Sequence, residues 1–224
     1  MGLSHSPRIV TDGLVFCVDA GDKMSYPGAG TTWTDLSKNR NNGTLVNGPT
    51  FDSANGGGVL LDGTDDYIDF GTIGSSITSY FTWQIVVKPI SFSRALRLMW
   101  SRNGGGIWTS LDSNNVYFTL GAITDYSMSR TFEVGKIYVL TYVISNNQWI
   151  MYVNGSFLNT ITINTSRTQS DNVWRCGVLI NGDGSIRSDT YSNQTMYAIA
   201  YYNRALSANE VQQNYKATKG RFGL

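Results

Sequence analysis

Alternating apolar and polar residues mark the clearest predicted strand of the chain. Between Phe81 and Pro89, apolar residues occupy every second position. Trp83 and Ile85 are two of them, and the polar residue Gln84 lies between these two. A period of two places the apolar side chains on one face of an extended strand. The segment therefore predicts a β-strand with one face in a hydrophobic core.

Similar short segments recur along the chain and are separated by turns rich in Gly, Asn, Asp and Pro. Residues 148–163 predict a hairpin, because two apolar runs flank Asn154-Gly155, a pair that readily adopts the positive φ angles of a tight turn. Further strands are predicted at residues 13–19, 43–46, 59–61, 67–70, 137–144, 173–180 and 196–202. Helical patterns do not separate these strands, so the sequence predicts antiparallel sheets packed face to face.

One helix is predicted, at the C-terminus. Ser207 and Glu210 have the spacing of a capping box, in which the serine side chain accepts a hydrogen bond from the Glu210 backbone and the glutamate reaches back. Val211 and Tyr215 supply an apolar stripe, and Gly220 is expected to end the helix. Linkers and repeats are not evident, so residues 12–224 are predicted to form one domain after an N-terminal arm, residues 1–11.

The composition narrows the classes of function. Charged residues make up 15% of the chain, and the net charge of +1 shows no basic stripe, which argues against electrostatic binding of nucleic acid. A secretory signal and an apolar run of the ~20 residues needed to cross a bilayer are both missing, so no export or membrane insertion is expected. Cys17 and Cys176 lie in apolar runs and are predicted to be buried free thiols, with a bridge between them as the alternative.

Several short motifs follow one another in a fixed order. They are Trp33-Thr34-Asp35-Leu36-Ser37, Asn42-Gly43-Thr44-Leu45, residues 61–68 (LDGTDDYI), Phe81-Thr82-Trp83, Tyr152-Val153-Asn154-Gly155 and residues 202–207 (YNRALS). In this order they resemble LamG-like jelly-roll domains of the concanavalin A-like lectin/glucanase superfamily. The resemblance implies an all-β fold, a two-sheet antiparallel jelly-roll sandwich with one short C-terminal helix.

Three other stretches resemble a narrower group. Residues 7–15 (PRIVTDGLV), Ser25-Tyr26-Pro27-Gly28 and Gly220-Arg221-Phe222-Gly223 are similar to LamG-like virion proteins of tailed bacteriophages, notably marine ones. This resemblance implies a structural or adhesive component of a virion that is assembled in the host cytoplasm. Its partners would be other capsid or tail proteins.

Catalytic groups are scarce. Glycosidases use two carboxylates that flank the scissile bond. The chain has two glutamates, Glu133 and Glu210, and neither has a second carboxylate two or four positions later. The single histidine, His5, lies in the N-terminal arm, which argues against Ser–His–Asp and Cys–His chemistry. A pair of aspartates stays open, but the sequence predicts a non-enzymatic protein.

Sugar binding is the first candidate chemistry. A sugar offers C–H patches to an aromatic ring and hydroxyl groups to amides and carboxylates. Trp108, Tyr126, Asn181 and Asp183 lie in or beside polar loops and are the candidate carbohydrate-binding residues. The alternative is that the two aromatic residues belong to the core. Arginines 94, 97 and 102 form a cluster for which a solvated sheet edge is favoured over an acidic partner.

A structural calcium ion is the second candidate. Asp65 and Asp66 lie in a tight turn, where carboxylate and carbonyl oxygens suit a hard cation. The favoured alternative is that Asp62, Asp65 and Asp66 accept hydrogen bonds from the amides of the turn. No other cofactor is predicted.

These observations rank three hypotheses. The first is a non-enzymatic virion structural protein of a tailed phage, displayed on capsid or tail as a decoration, fibre or adhesion module, with loops that bind host-surface glycans. Exposed edge strands must be covered or paired, which favours a homo-oligomer or a docked subunit. The alternative is a free-standing lectin or carbohydrate-binding module, and the third is an unusual glycanase. Under the first hypothesis the arm at residues 1–11 is either disordered or docked on a neighbouring subunit.

Overall fold

Two eight-stranded antiparallel sheets make up the computed structural model of this chain, and they pack face to face. The structure describes residues 8–73, 79–101, 107–120, 125–164, 173–181 and 183–224, apart from the side chains of Trp108 and Leu120. The predicted all-β sandwich with one C-terminal helix is confirmed.

The first sheet is built around the longest strand of the fold. Its order is β14 (Ser156–Thr162), β13 (Gln148–Val153), β12 (Tyr138–Ser145), β7 (Phe81–Pro89), β18 (Asn193–Tyr202), β5 (Gly58–Asp62) and β4 (Thr50–Asp52). The first part of β18 pairs with β5, and its last part, Ala198 to Tyr202, pairs with β1 (Leu14–Asp19). The ten-residue strand β18 therefore pairs with both β5 and β1 along the same edge.

The second sheet contains the strands that form the candidate site described below. Its order is β11 (Asp125–Ser129), β10 (Asn115–Leu120), β9 (Ile107–Leu111), β8 (Leu96–Ser101), β15 (Val173–Cys176), β6 (Tyr67–Thr72), β3 (Gly43–Val46) and β2 (Thr32–Trp33). A separate small hairpin pairs β16 (Leu179–Ile180) with β17 (Ile186–Arg187), and short 3-10 helices span Ala54–Gly56 and Ser188–Thr190.

The core lies between the sheets. Trp83 of β7 and Trp174 of β15 meet across it, with ring centroids 5.1 Å apart. Both side chains are fully buried, and burial of apolar area contributes about 25 cal/mol per Å². The strand predicted at β7 is confirmed, with its apolar face in the core. The other face is also buried, because Val86 packs in a cluster with Phe222 of the C-terminal helix.

Helix α1 (Ala208–Phe222) covers the outer face of the first sheet. The predicted capping box of Ser207 and Glu210 is present. The prediction that Gly220 ends the helix is wrong: the helix continues to Phe222, and Gly223 adopts the left-handed conformation that closes it. Phe222 is buried against Tyr197, with ring centroids 5.1 Å apart, and this contact stabilises the extra turn. Across the described ranges, no helix is long and apolar enough to cross a membrane.

The start of the described chain packs on this helix. The backbone N–H of Val10 donates to Oδ1 of Asn214 at 2.7 Å, and the Tyr202 hydroxyl donates to the Val10 carbonyl at 3.0 Å. Residues 8–10 thus pack on their own domain. Residues 1–7, with His5, lie outside the described residues.

Both cysteines are buried free thiols, as predicted. Cys17 lies in the first sheet and Cys176 in the second. Burial and the nearby Asp19 raise the pKa of Cys17 to about 12. A thiol in this state is a poor nucleophile at neutral pH.

Candidate functional site

Strands β8 to β11 present polar side chains on the outer face of the second sheet. Register aligns Arg97 of β8 with Ser110 of β9, and Ser110 with Tyr117 of β10. Thr119 of β10 is opposite Asp125 of β11. Intervening residues such as Val116 and Phe118 point into the core. Alternation along four adjacent strands therefore collects these polar groups on the outer face of the second sheet. Helix α1 covers the other sheet, on the opposite side of the sandwich.

A cavity of about 160 Å³ opens on this surface. We call it the Arg97 pocket, and its lining residues are Ala95, Arg97, Ser110, Asp112, Tyr117 and Asp125. A single water needs only ~10–15 Å³ measured in this way, so the pocket has room for a larger polar group.

The backbone of Arg97 is held on both sides. Its N–H donates to Oγ of Ser192 at 3.2 Å, and its carbonyl accepts from the Gly177 N–H at 2.8 Å and from Nε2 of Gln194 at 3.1 Å. The register of β8 also shifts between Arg97 and Met99. Such a bulge redirects the side chain at that point of the strand. The fold therefore fixes the place from which the guanidinium enters the pocket.

The Arg97 side chain carries a positive charge in a desolvated position. Its Nε is buried and has no hydrogen-bond partner among the described residues. Burial lowers the pKa of Arg97, Arg187 adds to this effect, and the carboxylates of Asp125 and Asp189 oppose it. An arginine side chain remains protonated in proteins nonetheless. Because Arg97 lines the cavity, its guanidinium gives the pocket a positive charge and N–H donors.

Asp112 and Tyr117 form a preset pair in the same pocket. The Tyr117 hydroxyl donates to Oδ2 of Asp112 at 2.6 Å, while Oδ1 accepts from the backbone N–H groups of Asn114 and Asn115, each at 2.7 Å. Partial burial disfavours the ionised carboxylate, but these hydrogen bonds outweigh it and lower the pKa of Asp112. The hydrogen bond to Asp112 raises the pKa of Tyr117. Asp112 is therefore ionised and oriented at neutral pH.

Asp125 supplies a second carboxylate from the edge strand. The buried hydroxyl of Thr119 donates to its Oδ1 at 2.5 Å, while the aspartate itself is exposed. Carboxylates accept hydrogen bonds and guanidinium groups donate them. The pocket therefore combines fixed acceptors with a fixed donor, an arrangement that suits a ligand bearing hydroxyl groups.

The β16–β17 hairpin lies beside this surface. Leu179 and Ile180 pack on Trp100 of β8. Asn181 and Asp183, two of the predicted sugar-binding residues, lie in the turn of this hairpin, where both bond to Ser185: Asn181 Nδ2 donates to its Oγ at 3.1 Å, and Asp183 Oδ1 accepts from its N–H at 2.9 Å. They form part of its turn structure and do not line the Arg97 pocket.

The two predicted aromatic residues have different places. Trp108 lies in β9, where its backbone pairs with Trp100 and Thr119, and its side chain lies outside the described part of the structure. Tyr126 packs against the main core, and its hydroxyl accepts a hydrogen bond from the Asn164 N–H at 3.0 Å. Tyr126 is therefore not on the outer face.

Most of the pocket lay outside the sequence prediction. Asp112, Tyr117 and Asp125 were not candidates, and Arg97 was expected at a solvated edge, which its buried Nε contradicts. Arg94 is exposed, as that interpretation requires, and Arg102 lies outside the described residues. The alternation of Tyr117 and Thr119 with apolar neighbours was the signal available in the sequence.

Residues 62–212 match the family model described as the concanavalin A-like lectin/glucanases superfamily. The chain belongs to this superfamily. No curated protein sequence matches it. Among solved structures, domain 4 of an extracellular arabinanase from Geobacillus stearothermophilus, in complex with arabinotriose, is similar with a TM-score of 0.72 and 16% identity over 92% of this chain and 100% of that domain.

Other members of the same fold are parts of larger proteins. Trypanosoma rangeli sialidase in complex with sialic acid has a TM-score of 0.64 and 16% identity, over 93% of this chain and 33% of the sialidase. The binding domain of Paraclostridial Mosquitocidal Protein 1 has a TM-score of 0.67 and 14% identity, over 91% of this chain and 52% of that one. At these identities the similarity establishes the shared fold.

The aspartate turn is a separate feature of this superfamily member. Carboxylate oxygens of Asp62, Asp65 and Asp66 lie within 4.8 Å of one another, a spacing that suits a hard cation. Asp62 Oδ1 also accepts from the Thr64 N–H at 2.7 Å, and Asp66 Oδ2 accepts from the Asp62 N–H at 3.1 Å. These are the turn-capping bonds of the favoured interpretation. Burial, together with the charges of Asp62 and Asp65, raises the pKa of Asp66.

Proposed function

We propose that this chain is a non-catalytic carbohydrate-binding domain whose ligand contacts the outer face of strands β8 to β11. The Arg97 pocket carries the proposal. It offers a guanidinium donor, two carboxylate acceptors and the ring of Tyr117 within one cavity. Each sugar hydroxyl is both a donor and an acceptor, so one sugar unit can satisfy both kinds of group.

The relatives support this choice of ligand class. The superfamily includes lectins and glucanases, and the arabinanase domain that spans the same length as this fold was solved with an arabinotriose ligand. The toxin domain of the same fold is a binding domain. Such likeness supports the class of ligand and leaves the identity of the sugar to experiment.

The carboxylates of the pocket favour binding over hydrolysis. Asp112 and Asp125 are the two carboxylates that could form a catalytic pair in this pocket. Glycosidases need one carboxyl group that stays protonated and acts as the acid. The lowered pKa of Asp112 keeps this group ionised at neutral pH, so the acid would have to be Asp125. Asp125 is exposed and lacks the apolar enclosure typical of a catalytic acid. Glu133 pairs with Lys136 on the surface, and Glu210 belongs to the helix cap, so neither serves the pocket.

A glycan array followed by calorimetry tests the proposal. The best array ligand is titrated into the wild type, Tyr117→Ala and Phe157→Ala. Phe157 is a matched control because it is an aromatic residue of the first sheet with a relative exposure of 60%. We expect Tyr117→Ala to weaken binding at least ~10-fold and Phe157→Ala to leave it unchanged, since stacking and hydrogen bonds in the pocket are each worth about 1 kcal/mol or more. Failure of every array ligand to bind, or equal losses in both variants, would contradict the proposal.

An assay for new reducing ends tests the non-catalytic part. The bound glycan is incubated with wild-type protein and with a double variant, Asp112→Asn and Asp125→Asn. We expect no release above the buffer blank from either protein. Release by the wild type that disappears in the double variant would show that the pocket cuts its ligand.

We further propose that the domain is displayed on the particle of a tailed phage, where it acts as a capsid or tail component that adheres to host-surface glycans. The support is the likeness of residues 7–15, 25–28 and 220–223 to phage virion proteins. Mass spectrometry of purified particles should find the chain at a fixed copy number. If it is absent from the particles, the free-standing lectin hypothesis replaces this one.

A further inference from the structure

The charges of the Arg97 pocket are mixed. One guanidinium, that of Arg97, meets two carboxylates, those of Asp112 and Asp125. On the β16–β17 side, Arg187 is paired with Asp189 at 3.1 Å. The formal charge of the lining is therefore −1, counted as one positive and two negative groups, before any ligand enters.

The pocket likewise offers both hydrogen-bond donors and hydrogen-bond acceptors to a ligand. Arg97 lines the cavity, and the N–H groups of its guanidinium only donate, so they can donate to a ligand oxygen. Asp125 is exposed and uses one oxygen, Oδ1, to accept from Thr119. A carboxylate has further acceptor sites, so it can also accept from a ligand hydroxyl. One O–H group that accepts from Arg97 and donates to a carboxylate satisfies both.

We infer that the pocket selects an uncharged sugar unit and rejects the corresponding uronic acid, with Arg97 donating to the sugar hydroxyls and Asp125 accepting from them. The inference rests on the proposed function, because it specifies the ligand of the same pocket. Asp125 is a specificity-determining residue in this account.

The exclusion of acidic sugars follows from the two aspartates. A uronic acid carboxylate can pair with Arg97, but it then lies in a cavity that also contains Asp112 and Asp125. Asp112 is ionised at neutral pH and already receives three hydrogen bonds, so it cannot turn away from the ligand. Like charges in a partly desolvated site repel strongly. A neutral unit pays no such penalty.

Matched pairs of glycans test the inference. Calorimetry compares oligosaccharides of galactose, glucose or mannose with the uronic acid oligosaccharides of the same linkage, which differ only in the carboxylate. We expect the neutral member of the pair that binds to do so at least 10-fold more tightly. Asp125→Asn removes one charge at an exposed position and keeps the acceptor for Thr119. It should reduce this preference several-fold, and Asp22→Asn, a change at an exposed position outside the pocket lining, should leave the preference unchanged.

The outcomes separate the two proposals. Tighter binding of the uronic acid, with loss in Tyr117→Ala, overturns the selection of neutral sugars while the binding function stands. An unchanged preference in a folded Asp125→Asn variant overturns the role of that residue. Binding of neither member of any pair overturns the proposed function and this inference with it.

Discussion

The hydroxyl group of Tyr117 donates a 2.6 Å hydrogen bond to Asp112, and both side chains line the Arg97 pocket. This bond helps to hold the pKa of Asp112 below its ordinary value. A carboxylate with a lowered pKa stabilises the fold above the pKa of the unfolded chain, and this stabilisation is lost as the pH falls through the folded pKa. The pair therefore links the shape of the pocket to pH.

Tyr117→Phe should lower the free energy of unfolding by about 1 kcal/mol at neutral pH, the usual value of one hydrogen bond. The difference from the wild type should shrink as the pH falls below the ordinary carboxyl range, because protonated Asp112 no longer gains from the bond. Urea denaturation over a series of acidic and neutral buffers measures both effects. A difference that is constant with pH would show that the bond does not act through ionised Asp112.

Tyr142→Phe should stabilise the protein. The Tyr142 hydroxyl is fully buried and has no hydrogen-bond partner among the described residues, and its ring stacks on Trp149. An unsatisfied buried hydroxyl costs about 1–3 kcal/mol, and its removal leaves the ring packing intact.

Tyr202→Phe is the matched control for this change. Tyr202 is also fully buried, but its hydroxyl donates to Val10 and accepts from Asn214 at 3.0 Å. We expect thermal unfolding to shift upward for Tyr142→Phe and downward for Tyr202→Phe. A downward shift for both would mean that Tyr142 has a partner in solution.

Glu210→Gln should weaken the start of helix α1. The hydrogen bond from Arg204 is the main reason that the pKa of Glu210 is lowered to about 2, and bonds from Ser207 add to it. The stabilisation is present above the ordinary carboxyl pKa and is lost as the pH falls towards about 2. Ser207→Ala should cost about 1 kcal/mol as a lost helix cap.

Glu133→Gln provides the control for Glu210→Gln. Its ion pair with Lys136 lies on the exposed surface, so the substitution should change the stability little. Denaturation curves at neutral pH and near pH 2 compare the two variants. The account of the helix start is wrong if they have equal effects at neutral pH.

The aspartate turn should gain nothing from calcium, because the carboxylates of Asp62 and Asp66 already accept hydrogen bonds from turn amides. Burial raises the pKa of Asp66, so the ionised form of Asp66 destabilises the fold. The contribution of Asp66 to the free energy of unfolding is therefore lost as the pH rises through its folded pKa. Asp66→Asn should therefore raise the melting temperature at neutral pH, with the increase vanishing in acid. A melting temperature that rises with added calcium and falls with a chelator would instead establish an ion at this turn, since ligands of the folded state stabilise it.

The sequence correctly predicted those parts of the fold where local conformational preferences and tertiary packing favour the same structure. Strand β7 alternates strongly, and Asn154 and Gly155 adopt φ angles of 51° and 72°, as their tight hairpin turn requires. The end of α1 was predicted three residues early because the packing of Phe222 outweighs the low helix propensity of Gly220.

Strands β8 to β11 were harder to predict for a physical reason. The register shift after Arg97 breaks the alternation of β8, and Met128 is the only fully buried residue of β11. The pocket joins Arg97 to Asp125, which are brought together by the pairing of four strands. Contacts between residues on non-adjacent strands follow from the order of the strands in the sheet. The hydrophobic pattern of a single segment does not contain that information.

Hydrogen–deuterium exchange with and without bound glycan tests the central claim most directly. If the ligand lies on the outer face of the second sheet, peptides that cover β9 and β10 should exchange more slowly in the complex, and peptides of β13 and β14 should be unchanged. Protection confined to β13 and β14, with β9 and β10 unaffected, would contradict the account.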